Sequence, residues 1–444
     1  MRIPSQLAVR LLAVFLLAHV AAAQAADRID QYIREEMANQ RLPGVALAVI
    51  RDNKPIIVRT YGLANLETGT AVTKDTSFRL ASLSKQLLAS GMMVLVSDGK
   101  VSLEAPINKY LDNLPESWAG ITVRQVLSHT AGLPLEAPGY DPFQYQAPAE
   151  RIQKARDLPL LSKPGEKFAY SNLGYDVVVA IIERVSGEPV TQFMSERVFQ
   201  PLGMSSTRAT DSTAIIPHRA NGYAYRDNEM SNAFLLVARR SSGLFLSTLS
   251  DLIKWDAALT EGKVVTKKMQ HDLWTAITLP DGSSTHYGLG WWVDEYKKHR
   301  RIRHGGSNPG FRTEYSRFVD DHLSVIVLVN AESTRPDAIA AEVAGFYVPG
   351  LATPRKTVKL TRRDLAPLAG RYEVSPTNIV TIGVDEPGLS IESTDGGSQF
   401  RLIAESPTTF FISRDETYVF ARDHFTIING ETHVIANRLP EVEP

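Results

Sequence analysis

A serine and a lysine stand three residues apart, at Ser82 and Lys85, in front of an apolar run. Apolar residues on helical spacing from Leu87 to Val96 predict a buried helix whose first turn holds Ser82. Residues at this spacing share one face of a helix, so a neutral lysine there can accept the proton of the serine hydroxyl. The free N–H groups at a helix start also suit an anion that forms at the serine. The spacing therefore predicts a nucleophile with its general base.

The same spacing occurs a second time, at Ser97 and Lys100. This pair falls where the predicted helix should end, with Gly99 placed as a C-terminal cap, so Ser97 would meet the negative end of the helix dipole. Ser82 is therefore the better candidate for the nucleophile. From the spacing alone an alternative stays open, in which Ser82 caps a helix and Lys85 is a solvated helix residue.

Tyr170 and Asn172 lie on a predicted loop that enters a buried helix, a place where catalytic groups are commonly held. If Lys85 lies beside the Tyr170 hydroxyl, the cation would favour the phenolate and let the tyrosine move protons. The amide of Asn172 would reach both Lys85 and a substrate carbonyl. The alternative is a buried tyrosine followed by an asparagine that caps the helix.

A third candidate segment ends a predicted strand with His304, Gly305, Gly306 and Ser307. The two glycines would let the backbone approach a ligand closely, and the Ser307 N–H would then face an oxyanion. His286 also precedes a glycine by two residues, but no turn that would shape the edge of a pocket follows it. For a single histidine such as His304, an ordinary structural role stays open.

The composition is that of a globular and nearly neutral chain. It has 444 residues, of which 43% are hydrophobic, with 48 Lys and Arg against 49 Asp and Glu. This balance gives no field that would attract nucleic acid, and the lack of cysteine excludes disulfides and thiolate metal sites. The sequence contains no nucleotide-binding or zinc-protease motif, so we expect no cofactor and no metal.

The N-terminal stretch has the pattern of a secretory signal peptide. Arg2 and Arg10 supply positive charge, Leu11–Val20 is apolar, and Ala23–Ala25 places small residues around a cleavage site. We therefore expect a cleaved, periplasmic or secreted protein without a stable membrane anchor. An uncleaved anchor is the alternative, which the short apolar run disfavours.

The pattern of apolar residues predicts an α/β domain followed by a small all-β domain. Strands precede and follow the serine, with helices between them, so one antiparallel sheet should gather both ends of the first domain. Eight short strands after residue 370 predict a β meander or barrel. The expected limits are 1–25 for the signal peptide, 26–348 for the α/β domain, 349–363 for a linker and 364–444 for the β domain. The same pattern predicts a hairpin at Val45–Ile50 and Ile56–Tyr61, a helix opened by Ser250, and strands at Gly288–Val293 and Leu323–Val329.

In their order along the chain, these segments resemble the three signature elements of the penicillin-recognising serine hydrolases. The elements are Ser82–Lys85, Tyr170–Asn172 and His304–Gly306. The similarity is closer to the class C β-lactamase-like branch, which includes D,D-peptidases, D-aminopeptidases and esterases, and it extends over Ile29–Gly345. The segment Leu127–Pro134 also resembles the family, and we expect its histidine, His129, to be structural and to hold a helix end.

The resemblance implies that Ser82 is the acylated nucleophile, that Lys85 and Tyr170 form the acid/base pair, and that Asn172 assists them. The N–H groups of Ser82 and Ser307 would form the oxyanion hole. The resemblance further implies an antiparallel sheet packed by helices beside an all-helical lobe, with the site between them. The β-rich tail is similar to the lipocalin-like modules that follow the catalytic domain in some relatives.

One departure bears on the substrate. Class C β-lactamases carry Lys-Thr-Gly where this chain has His304–Gly306, so a permanent positive charge for a substrate carboxylate is missing. This difference weighs against efficient β-lactam hydrolysis. We expect instead that a small-molecule ester, amide or D-amino-acid peptide is hydrolysed through an acyl-enzyme on Ser82. The alternatives are a β-lactamase, a penicillin- or peptidoglycan-binding protein with slow turnover, and a scaffold whose tail recruits a partner; the oligomeric state is left open.

Overall fold

The structure is a computed structural model that describes most of the chain. The described residues are 26–141, 143–226, 229–234, 240–352, 355–385, 388–393, 399–413, 416–429 and 432–440. The predicted signal peptide and the turns expected at 395–397 and at Gly430 lie outside these ranges. The chain divides into two compact units, Pro43–Ala340 and the described parts of Met1–Leu42 with Ala341–Pro444, and each has a hydrophobic core of its own.

The larger unit is built on a seven-stranded antiparallel sheet with the strand order β3-β2-β1-β12-β11-β10-β9. The N-terminal hairpin pairs directly with the last strand of the unit, as predicted from the strands at both ends of the domain. The strands of this unit are β1 (Gly44–Arg51), β2 (Lys54–Asn65), β3 (Thr70–Ala71), β4 (Phe78–Arg79), β5 (Arg208–Ala209), β6 (Tyr223–Arg226), β7 (Glu229–Asn232), β8 (Phe245–Ser247), β9 (Trp292–Tyr296), β10 (His299–Asn308), β11 (Phe311–Phe318) and β12 (Leu323–Val329).

The predicted first hairpin is confirmed, and its turn explains its register. Asp52 and Asn53 connect β1 to β2 and both have positive φ, the backbone conformation of tight two-residue hairpin turns.

The prediction of a strand at Gly288–Val293 is wrong, because β9 begins only at Trp292. A Cβ at Gly288 would lie 2.1 Å from the carbonyl oxygen of Leu273, so these residues pack closely on a neighbouring backbone instead of extending along the sheet.

Most of the helices lie in the larger unit, whereas α1 and α10 belong to the smaller one. Two of them, α2 and α5, are buried along most of their length and pack against each other. Among the described residues no helix combines the length and the apolar character needed to cross a bilayer. The helices are α1 (26–40), α2 (Ser84–Ser97), α3 (Val123–Leu127), α4 (Pro148–Ala155), α5 (Asn172–Ser186), α6 (Val190–Met194), α7 (Leu249–Glu261), α8 (Lys267–Leu273), α9 (Pro336–Gly345) and α10 (Arg362–Leu365).

Two helix starts differ from the predictions. Ser82 does not lie in the first turn of α2 but in a 3-10 turn at Ala81–Leu83 that precedes it. The helix predicted to open at Ser250 begins one residue earlier, because the Thr248 side chain accepts the N–H of Asp251 and caps it. Both differences amount to one turn or less, which is the usual uncertainty of a helix end.

The smaller unit contains a closed eight-stranded antiparallel barrel, β13 to β20 in sequence order. All eight predicted strands are present, and their inward-facing aromatic and aliphatic residues fill the barrel. Helix α1 belongs to this unit, since the Gln40 side chain donates to the Ile412 carbonyl at 3.3 Å. The strands are β13 (Gly370–Ser375), β14 (Asn378–Asp385), β15 (Gly388–Ser393), β16 (Gln399–Ala404), β17 (Thr409–Ser413), β18 (Glu416–Phe420), β19 (His424–Asn429) and β20 (Thr432–Arg438).

Candidate active site

Ser82 lies on a sharp turn between β4 and α2. The preceding residue, Ala81, has φ of 50°, a left-handed conformation that is unfavourable for a residue with a Cβ. Gly243 packs against this turn, because a Cβ at residue 243 would lie 3.3 Å from the Ala81 Cα. The turn leaves the Ser82 side chain partly exposed while its neighbours are buried. Such locally strained turns often present functional groups.

Lys85 is the buried partner of Ser82. Its side chain has no exposed surface, and its Nζ lies 3.1 Å from Ser82 Oγ, 2.9 Å from Asn172 Oδ1 and 3.4 Å from the Ser242 carbonyl oxygen. The alternative of a solvated lysine is therefore wrong. The capping alternative is wrong too, since the residue that caps α2 is Leu83, without a side-chain hydrogen bond. The competing pair, Ser97 and Lys100, is exposed.

Burial controls the protonation of Lys85. Desolvation is the largest influence on its pKa and lowers it well below the ordinary value of 10.5. Glu136 and Asp176 act in the opposite direction through their negative charges, and Arg240 adds to the lowering. We conclude that the neutral amine is accessible without strongly alkaline pH.

The partners of Lys85 determine where its lone pair lies. A neutral lysine has two N–H donors and one lone pair. Two of its three partners, Asn172 Oδ1 and the Ser242 carbonyl, can only accept hydrogen bonds, so they occupy the two N–H groups. The remaining partner is the Ser82 hydroxyl, which can donate. In the neutral state the lone pair of Lys85 is thus directed to the proton of Ser82.

Tyr170 lies beside the same two residues. Its hydroxyl shares a hydrogen bond with the Ser82 side chain, and Lys85 Nζ is 4.6 Å from the centre of its ring. Burial is the largest influence on its pKa and raises it above the ordinary value of 10. The expectation of a phenolate at Tyr170 is therefore wrong, because desolvation outweighs any attraction by Lys85 and keeps the pKa of the hydroxyl above its ordinary value. Tyr170 is a neutral phenol at physiological pH.

Asn172 is the first residue of α5, and the cap of that helix is Ser171, whose hydroxyl accepts the Gly174 N–H at 2.9 Å. The alternative of Asn172 as a helix cap is therefore wrong. Its side chain instead bridges Lys85 and Glu136. Its oxygen faces Lys85, and its amide nitrogen donates to Glu136 Oε1 at 2.6 Å.

Glu136 and Arg240 are site residues that the sequence did not suggest. Glu136 forms an ion pair with Arg240 at 3.2 Å, and the Arg240 guanidinium lies 3.8 Å from the centre of the Tyr140 ring. These residues come from irregular segments without periodicity, which carry no local signal for a contact with Asn172. Only the folding of the loops over the start of α5 brings them together.

Strand β10 runs along the turn that carries Ser82. Gly306 makes this approach possible, because a Cβ at this residue would lie 2.0 Å from the Leu80 carbonyl oxygen. That oxygen also accepts the Thr313 hydroxyl at 2.9 Å, which ties β11 to the same turn. Ser307, the next residue of β10, is exposed. The structure thus brings the third predicted segment to Ser82, while the oxyanion role of the Ser307 N–H stays a prediction.

His304 is almost completely buried, at 1% exposure, and both of its ring nitrogens are engaged. Nδ1–H donates to the Gly305 carbonyl at 2.7 Å, so Nε2 accepts the hydroxyl of Tyr287 at 2.9 Å. Burial, with a smaller effect of Lys85, lowers the pKa of His304 to about 3. The ring is therefore neutral, and a direct hydrogen bond to a substrate would require breaking one of these two contacts. The predicted substrate role of His304 stays a prediction.

Comparisons with known proteins match the chain to one family and one fold. The family described as Beta-lactamase matches residues 29–347. Penicillin-binding protein 4* of Bacillus subtilis is 26% identical over 385 residues, which cover 80% of this chain and 84% of that protein. A D-aminopeptidase of Brucella anthropi is 26% identical over 319 residues, which cover 70% of this chain and 60% of that protein.

Among solved structures, the octameric penicillin-binding protein homologue from Pyrococcus abyssi superposes with a TM-score of 0.68. The alignment covers 92% of this chain and 99% of the homologue at 21% sequence identity. The similarity supports the predicted fold, in which a mixed helix and antiparallel sheet domain precedes an all-β barrel.

Proposed function

The chain belongs to the Beta-lactamase family of serine hydrolases, and we propose that it hydrolyses a small ester or amide through an acyl-enzyme on Ser82. The observation that carries the proposal is the position of the buried Lys85 Nζ, 3.1 Å from Ser82 Oγ and 2.9 Å from Asn172 Oδ1. This contact pairs a nucleophile with a base whose charged form is disfavoured by burial.

In the proposed acylation step, Ser82 Oγ attacks the substrate carbonyl carbon while its proton passes to the neutral Lys85. The N–H groups of Ser82 and Ser307 would stabilise the negative charge that develops on the carbonyl oxygen. The Tyr170 hydroxyl would donate its proton to the leaving group and recover one from Lys85. Deacylation would use the same groups in reverse, with a water molecule as the nucleophile.

The proposed substrates are D-amino-acid amides or peptides and small esters. Support for the first class comes from the relative named D-aminopeptidase. Because His304 is held neutral, the site lacks the fixed charge that a β-lactam carboxylate would meet at a lysine. We therefore propose these compounds as the substrates ahead of β-lactams.

A slow-turnover penicillin-binding protein is the second candidate, and the relative named Penicillin-binding protein 4* favours it. Incubation with benzylpenicillin separates the possibilities. A lasting adduct on Ser82 would support the second candidate, whereas loss of the drug with a transient adduct would support a β-lactamase. Persistence of the drug without an adduct would leave esters and D-amino-acid amides as the proposed substrates.

We also propose that the enzyme works in the periplasm or outside the cell. The support is the charged, apolar and small-residue pattern between Arg2 and Ala25. Cell fractionation of the full chain, with N-terminal sequencing of the product, tests this location. Recovery of the intact chain in the cytoplasm would contradict it.

The test of the proposed function uses p-nitrophenyl butyrate and D-alanine p-nitroanilide as substrates. Ser82→Ala should reduce kcat/KM by at least about a thousandfold on any substrate that the native chain hydrolyses, as in other enzymes that lose a nucleophile. Ser97→Ala is the matched control, because it removes the serine of the exposed second Ser-x-x-Lys pair. Full turnover in Ser82→Ala would refute the proposed function.

A further inference from the structure

We propose that His129 is a positioning residue that holds the Tyr170 hydroxyl beside Ser82. This inference rests on the proposed function, in which Tyr170 donates a proton to the leaving group. His129 follows α3, 41 positions before Tyr170 in the chain, and it is buried with 1% of its surface exposed. We expected this histidine to hold a helix end, whereas its contacts converge on Tyr170.

Three contacts hold Tyr170 from three sides. The Ala169 N–H donates to the His129 carbonyl at 2.8 Å, which secures the residue before the tyrosine. The Ser171 N–H donates to His129 Nδ1 at 3.0 Å, which secures the residue after it. The imidazole also packs on the Tyr170 ring, with 4.2 Å between ring centres and 36° between planes. One residue thus restrains both flanks and one face of the tyrosine.

His129 keeps this position although the position is unfavourable for a histidine. Its φ is 59°, in the left-handed region that glycine and asparagine adopt more readily. Since Nδ1 accepts a hydrogen bond, the neutral ring carries its proton on Nε2, and that atom has no hydrogen-bond partner among the described residues. A residue with a purely structural role in this turn would avoid both the left-handed backbone conformation and the buried, unpaired Nε2–H. The contacts with Tyr170 supply a reason for the histidine.

The role of His129 is geometric rather than acid/base. Burial is the main influence on its pKa and lowers it well below 6.5, and the nearby Lys85 and His304 act in the same direction. The other groups that face the ring are aromatic: Phe168, Tyr175 and Tyr287. Protonation of Nδ1 would break the bond from Ser171, so the neutral ring is the form that holds the loop.

Two substitutions separate the two contacts of the His129 side chain, which are the hydrogen bond from the Ser171 N–H and the packing on the Tyr170 ring. In His129→Asn, the side-chain oxygen takes the place of Nδ1, accepts the Ser171 N–H and tolerates the left-handed backbone, but the ring is lost. In His129→Phe, the ring remains but the acceptor is lost, so the Ser171 N–H is left buried without a partner. If positioning depends on this acceptor, His129→Asn retains more activity than His129→Phe.

The decisive readout compares two esters that share one acyl group. Ethyl butyrate needs a proton on its leaving alkoxide, whereas p-nitrophenyl butyrate releases a stable phenolate without one. We expect His129→Phe to lower kcat/KM about a hundredfold for the ethyl ester and about tenfold or less for the p-nitrophenyl ester, because displacement of a catalytic group by about 1 Å costs about this much. His129→Asn should restore most of the loss on the ethyl ester.

The fraction of competent sites, counted by complete labelling with a fluorophosphonate, corrects each kcat/KM for unfolded protein. Equal losses on both esters in His129→Phe, or native kinetics after this correction, would overturn the positioning role. A loss in His129→Asn as large as that in His129→Phe would also overturn it. The proposed function fails separately, by full turnover of p-nitrophenyl butyrate in Ser82→Ala.

Discussion

At the residue scale, burial sets the proton chemistry of the site. Desolvation lowers the pKa values of Lys85 and His304 and raises that of Tyr170, so all three side chains favour their neutral forms. A neutral amine next to a serine hydroxyl is a base, and a neutral phenol next to both is a proton donor. This environment supports the proposed roles of Lys85 as the base and of Tyr170 as the proton donor.

The first prediction concerns Lys85→Met, which should lower kcat/KM by at least about a hundredfold because general-base catalysis is lost. The same substitution should stabilise the protein at neutral pH. The pKa of Lys85 is lower in the folded than in the unfolded chain, so the unfolded chain binds more protons and the native stability rises with pH. In denaturant unfolding, Lys85→Met should have the larger free energy of unfolding at neutral pH. Its difference from the native chain should disappear as the pH approaches about 10.4. A difference that is independent of pH would contradict a lysine that is neutral when folded.

A second prediction concerns the pair of Tyr287 and His304. Tyr287→Phe removes the donor to the buried His304 Nε2 and should reduce the free energy of unfolding by about 1–3 kcal/mol. Tyr145→Phe is the control, since Tyr145 is exposed. Denaturant unfolding of the two variants measures the difference. Equal stability of both variants would show that the hydrogen bond to His304 contributes little.

The sequence identifies the residues with local signals and misses those without them. Ser82, Lys85, Tyr170 and Asn172 stand at recognisable spacings, and the structure brings them together. Their protonation states do not follow from spacing, because they depend on burial by residues far along the chain. The contacts of Glu136 with Asn172 and of Tyr287 with His304 are likewise tertiary, and no periodic pattern marks either partner.

At the element scale, the approach of β10 to the turn of Ser82 is the contact that assembles the site. Gly306→Ala should lower kcat/KM by about a hundredfold or more, because its Cβ would collide with the Leu80 carbonyl and push the strand outwards. Gly120→Ala is the matched control, since a Cβ there meets nothing within 4 Å. Steady-state kinetics with thermal unfolding measures both variants. Native activity of a folded Gly306→Ala would show that this approach is not needed.

A buried ion pair links α4 to α5. Arg151 on α4 donates from Nε to Asp176 on α5 at 2.8 Å, and its guanidinium also reaches the Ser241 hydroxyl at 3.2 Å. Asp176→Asn should destabilise the fold by about 3–5 kcal/mol, because it leaves a buried arginine without its counter-charge. Glu150→Gln, in the exposed pair with Lys154, should leave the free energy of unfolding unchanged. Equal effects of the two substitutions in denaturant unfolding would contradict this difference.

The presence of strands with continuous or alternating apolar residues can be predicted from the sequence. The residues at which elements begin and end are harder to predict. The hairpin of β1 and β2 and the strands of the barrel follow directly from pattern and turn residues. The segment before β9 is rich in apolar and aromatic residues as well, yet Gly288 and Gly290 pack against neighbouring elements. A close backbone approach of this kind depends on the partner surface, which the local pattern does not contain.

At the scale of the whole molecule, the candidate catalytic residues all lie in the unit Pro43–Ala340, and the barrel forms a separate core. Phe425→Ala should reduce the stability of the barrel by about 3–5 kcal/mol, because Phe425 is fully buried in it. Below the unfolding temperature, kcat/KM for p-nitrophenyl butyrate should be unchanged. Ile435→Ala, at an exposed barrel residue, is the control. A large loss of activity in folded Phe425→Ala would show that catalysis depends on the barrel.

An acyl-enzyme on Ser82 can be detected from the mass of the protein quenched in acid during turnover of p-nitrophenyl butyrate. We expect one butyryl group per chain, located by peptide mapping on Ser82, present in Ser97→Ala and absent in Ser82→Ala. A butyryl group on another residue, or one that persists in Ser82→Ala, would contradict an acyl-enzyme on Ser82.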